Sequence, residues 1–131
     1  MDTKTFSIHE VGTNTGKTWA GEFSARRFLS SRLQLERDRV LRSLLGDQPQ
    51  FSLQIDRAQK LADVHVGIVT SPEFWKESAG GLDLVDDNIL DLVHEHVVGI
   101  QKDARDAVLK KAADAKEALK ANLKKPDDPQ E

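Results

Sequence analysis

The residues of this chain that could carry chemistry fall in a few short groups. Gly16-Lys17-Thr18 has the ending of a phosphate-binding loop, in which backbone N–H groups cradle an anion and a lysine reaches it. The spacing fails. The motif G-x-x-x-x-G-K-[ST] needs glycine where Val11 stands, and the following TWAGEF alternates like a strand where the motif opens a helix. Asp83, Asp86 and Asp87 lie in a stretch with the look of a calcium loop, but the order D-x-[DN]-x-[DN]-G and the closing glutamate are missing. These acids are expected at a helix N-terminus, where they favour the positive end of the dipole. His94 and His96 are two residues apart, roughly 200° around a helix, so they cannot chelate one ion. His65 has Val69 at the position where an i+4 ligand would stand. With no cysteine, disulfides, thiolate catalysis and sulfur-bound zinc drop out as well. No nucleophile, supported carboxylate pair or metal set is left, so the chain is read as non-enzymatic, without cofactor or metal.

Arg26, Arg27, Arg32, Arg37, Arg39 and Arg42 stand against only Glu36 and Asp38. Such a run is usually a solvated face, and its sharper reading is a surface for an acidic partner, because guanidinium forks pair well with carboxylates. An internal counterpart exists in Asp83, Asp86, Asp87, Asp91 and Glu95, and pairing between the two segments is expected. The formal charge of -3 argues against nucleic acid as the main ligand. No apolar run approaches the roughly 20 residues of a membrane span, and no leader opens the chain, so an intracellular protein with no membrane partner is expected.

The elements that must position these residues begin with a hairpin. Thr5 to Val11 and Thr18 to Phe23 alternate, with Phe6, Ile8, Trp19, Gly21 and Phe23 on the apolar side and a loop of about four or five residues between. Ser24 to Gly46 reads as the helix around which the rest is organised. Its apolar side holds Phe28, Leu29, Leu33, Val40, Leu41, Leu44 and Leu45, with Ser24 as N-cap and Gly46 closing the last turn. A loop broken by Pro49 leads to a second, antiparallel helix from about residue 52. Its stripe runs through Ile55, Ala58, Leu61, Ala62, His65, Ile68 and Val69, though β-branched VHVGIVT weakens its end. Ser71 should cap a short turn after Pro72 that carries Phe74 and Trp75, the latter a core plug or an exposed anchor. Leu82 to Ile100 reads as a third helix that buries Ile89, Val93, Val97 and Ile100. From Lys102 a thin stripe of Ala104, Val108, Ala112, Ala115 and Leu119 continues, with an expected Asp106–Lys110 pair. The fold class is mainly α (α+β): an N-terminal β-hairpin on a small helical bundle, with a long C-terminal helix. Its units are a body of residues 1–101, a projecting amphipathic helix of 102–123 and a frayed tail of 124–131.

Taken together, TGKTWAGEF, LSSRLQLERDRVLRSLLG and SPEFWKESAGGLDLVDDNIL, spread over roughly residues 5–100, resemble small accessory proteins of tailed bacteriophages. The nearest likeness is to tail assembly chaperones encoded beside the tape-measure gene. That resemblance implies a protein that coats the hydrophobic tape-measure protein in the host cytoplasm and helps recruit tail-tube subunits, with no catalytic residues. The alternative is a structural component of the virion, in head, neck or tail, that binds a lattice of phage subunits. In either case the protein-binding candidates are Trp19, Arg26, Arg27, Arg32, Trp75, Val108 and Leu119, and a second copy of the chain is a further candidate partner.

Overall fold

The computed structural model describes residues 2–46 and 52–123, so the loop at Pro49 and the tail of 124–131 lie outside the described residues. Strands β1 (Thr3–Val11) and β2 (Thr18–Arg26) are followed by α1 (Ser31–Leu45), α2 (Ser52–Gly67), a short β3 (Ile68–Thr70), α3 (Glu73–Glu77) and α4 (Asp87–Leu123). The chain is α+β, with the hairpin at its front and a long helix at its end. β3 adds a third strand, because the β-branched run after Gly67 leaves the helix and pairs antiparallel with β2. The sheet order is β1-β2-β3.

Alternation along the hairpin places Phe6 opposite Phe23 and Ile8 opposite Gly21 on one face. This face packs on the first half of α4. Ile8, Phe23, Ala25, Trp75, Ile89, Leu90, Val93, Val97 and Ile100 form one buried cluster together with Leu61 and Val64 of α2. Phe6 stacks on Phe23 at 5.0 Å and on His96 at 4.6 Å, so the sheet meets α4 through a column of rings. α2 lies close to α4, and a Cβ on Gly67 would come within 2.4 Å of Val97. The core is therefore built around Ile89 to Ala104.

The expectation that Ser24 to Gly46 forms the central helix is overturned. Residues up to Arg26 belong to β2, Ser24 is tied to Thr70 across the sheet, and α1 starts only at Ser31 with Ser30 as its N-cap. α1 buries no residue; Leu33, Val40 and Leu41 are half-buried and Leu44 is exposed. The physical reason is its position: α1 packs chiefly on α2, away from the sheet and its buried cluster. The two helices run antiparallel, since Glu36 near the start of α1 meets His65 near the end of α2. Gly46, at φ 67°, closes α1 as expected, donating its N–H to the Arg42 carbonyl.

The charge pairing also differs. The acids of α4 take their cations from α2: Arg57 meets Asp87 at 2.7 Å and Lys60 meets Asp91 at 2.8 Å. The arginines of α1 stay local, with Arg39 on Glu36 and Arg37 loosely on Asp38 at 3.7 Å. α2 stands between the two segments and intercepts the pairing. On α4, Asp106 pairs with Lys102, one turn before it, in place of Lys110. In the short turn, Pro72 occupies the N-cap position expected for Ser71, and no side chain caps α3.

α4 is one continuous helix of 37 residues, about 55 Å long. Burial ends at Ala104, and every residue from Arg105 to Leu123 is exposed.

Candidate functional site

The glycine-rich loop between β1 and β2 runs from Gly12 to Lys17, closed by hydrogen bonds from Gly12 N–H to the Lys17 carbonyl and from Gly16 N–H to the Gly12 carbonyl. It does hold an anion, and the anion is the fully buried carboxylate of Asp86. The N–H groups of Asn14 and Thr15 donate to Oδ1 at 2.7 and 2.9 Å. The Thr15 hydroxyl and the Trp19 indole N–H donate to Oδ2 at 2.6 and 2.8 Å. Burial pushes the Asp86 pKa up, and these four donations outweigh it, holding the carboxyl at about 2 against an ordinary 3.8. Next to it, Asn88 accepts from the Thr13 N–H and hydroxyl and donates to the Val11 carbonyl, while the Asn14 amide donates to the Val85 carbonyl. A Cβ on Gly12 would fall 2.0 Å from Asp86, so only glycine fits there. The arrangement locks the hairpin to the start of α4.

The other candidate chemistry disperses. His94 contacts Asp63 at 2.9 Å, His65 contacts Glu36 at 3.2 Å, and His96 stacks on Phe6. Glu36 is held down to about 2, first by its hydrogen bond from Arg39 and then by His65. Among the described residues no three His, Asp or Glu side chains are grouped to hold a metal ion.

The residues expected at a protein-binding surface separate into two sets. Trp75 is buried, its ring edge-on to Phe23 at 5.5 Å, so it is a core plug and not an exposed anchor. Trp19 belongs to the Asp86 clamp, with its ring against Phe74 and the Lys17 ammonium over it. Arg26 donates to the Val66 carbonyl and ties β2 to the end of α2. Arg27, Arg32, Val108 and Leu119 remain accessible, but on different elements: Arg32 lies on the outer helix and Leu119 far along the free part of α4.

Arg27 and Val108 do meet. They line an open cleft of about 420 Å³ between the β2–α1 link, α1 and α4, with Phe28, Leu29, Gln34, Arg37, Gln101, Arg105 and Leu109. Arg37 belongs to the arginine run whose sharper reading was an acidic-partner surface, while Arg105 and Phe28 were not singled out for this role by sequence reasoning. The signal was there in Arg105 standing one helical turn before Val108 and Leu109, but nothing local shows that the link after β2 folds against that turn.

Compared against protein families, curated proteins and solved structures, the chain matches none. Functional inference therefore rests on the geometry of the surface itself. Among the described residues no helix is long and apolar enough to cross a membrane.

Proposed function

We propose that this chain is a non-catalytic protein-binding module whose free helix, residues 105–123, is the part offered to partners. One observation carries the reading: this stretch is exposed throughout although it bears Val108, Leu109, Leu119 and Leu123. Apolar side chains left exposed along a helix that runs on past the buried core are the usual mark of a surface completed by another chain. The helix can wait in that state because alanine, lysine, glutamate and leucine favour helix intrinsically, which lowers the ordering cost of binding. Nothing in the buried clamp or the histidine contacts supports a reaction, so binding is the function the geometry favours.

In its specific form the proposal is the one implied by the likeness to phage accessory proteins: a tail assembly chaperone acting on the tape-measure protein. Co-expression with a tape-measure protein of a tailed phage tests this. The account expects the two proteins to copurify, a Leu119→Glu variant to lose the partner while keeping its fold, and the chain to be absent from purified particles. Its presence in finished particles at fixed stoichiometry would favour the virion component instead. Copurification unaffected by Leu119→Glu would count against the helix as the binding element.

A further inference from the structure

Resting on the reading of the chain as a protein-binding module, the geometry points to the cleft between the β2–α1 link, α1 and α4 as a docking site for an acidic, leucine-bearing peptide segment of a partner. The lining combines three guanidinium groups, from Arg27, Arg37 and Arg105, with apolar Phe28, Val108 and Leu109, and among the described residues no carboxylate lines it. In a chain of net charge -3 that is a local reversal of sign.

The three arginines come from three separate segments, so no single helical face brings them together; the fold does. Their present partners are weak or absent. Arg105 makes no ion pair among the described residues, Arg37 reaches Asp38 only at 3.7 Å, and Arg27 meets Asp2 at 3.3 Å in an exposed contact. Paired guanidinium N–H groups match a carboxylate in bidentate fashion, which sets the charge of the occupant. The exposed Phe28, Val108 and Leu109 set its other property, since an inorganic anion would leave them uncovered. A volume of about 420 Å³ takes a few side chains, the size of a short motif's anchor. Asp63 and Glu95 in the neighbouring cleft bound the basic surface on that side, so it suits a short acidic segment better than the continuous backbone of a nucleic acid.

Fluorescence polarisation of the full chain with a labelled peptide bearing leucines and glutamates at helical spacing tests the inference. The expected result is saturable binding that weakens with added salt. It should drop about tenfold or more in Arg105→Gln and in Arg37→Gln, and when the peptide's glutamates become glutamines. Lys76→Gln, which removes one positive charge on α3 outside the cleft, should leave the affinity within about twofold. Thermal midpoints of the variants are read alongside, and all three positions are exposed or half-exposed, so folding should hold. No binding by the wild-type chain, equal binding of the glutamine peptide, an equal loss in Lys76→Gln, or full displacement by an oligonucleotide would each overturn the assignment. Failure here, with partner capture still sensitive to Leu119→Glu, would remove the cleft and leave the module reading standing.

Discussion

Asp86 ties together residues more than 65 positions apart, and its removal should be felt across the hairpin. Asp86→Asn keeps the shape but replaces one acceptor oxygen by a donor facing the Thr15 hydroxyl or the Thr15 and Asn14 N–H groups. The native carboxyl titrates at about 2, below its ordinary 3.8, so the stability it contributes is present above about pH 4 and is lost as pH falls towards 2. Thermal melts should therefore show the variant less stable than wild type at pH 7, with the gap narrowing between about pH 4 and 2. A gap independent of pH would mean that the charge on Asp86 is not what the loop recognises. Lys17→Ala should leave any titration with ATP or GTP as blank as wild type, because Asp86 already occupies the anion position. Calorimetric nucleotide binding abolished by that substitution would restore the phosphate-loop reading. At this scale the sequence was half legible. The loop between the strands showed in its glycines, but its hold on a carboxylate did not, since the phosphate-loop spacing fails and local spacing carries no information about a partner at the start of a distant helix.

At the scale of elements, helical periodicity identified the long helices but did not rank them by burial. The leucines of α1 and the β-branched residues of α4 follow similar steps, yet α1 packs chiefly on α2 while α4 lies under the sheet. The strands were readable because alternation reports a half-buried face directly, and Phe6, Ile8 and Phe23 do share one. β3 was announced only as weakened helicity, and its pairing with Ser24 and Ala25 is a non-local event. The ranking has a measurable consequence. Ile89→Ala should cost about 2–5 kcal/mol through the cavity it leaves, whereas Leu41→Ala should cost less than about 2 kcal/mol because its site already faces solvent. Chemical denaturation of both variants checks this, and equal losses would place α1 back in the core.

The whole molecule divides where burial stops, at Ala104, three residues beyond the boundary read from the change in composition at Gln101. Composition shifted early because Lys102 and Asp103 are exposed on a turn whose other side still packs Ala104. Of the arginine cleft, Arg27, Arg37 and Val108 were legible as separate surface candidates but their meeting was not, since it needs the link after β2, one face of α1 and the first free turn of α4 in one place. What remains beyond the body is a preformed helix with exposed leucines, and the account stands or falls on what that helix is for. The direct measurement compares the full chain with one ending at Ala104, recording the thermal midpoint and the association of each by light scattering and by capture of the copurifying partner. The account predicts a midpoint within about 5 °C of the full chain together with loss of association. A truncated chain that unfolds, or one that associates as well as the full chain, would contradict it.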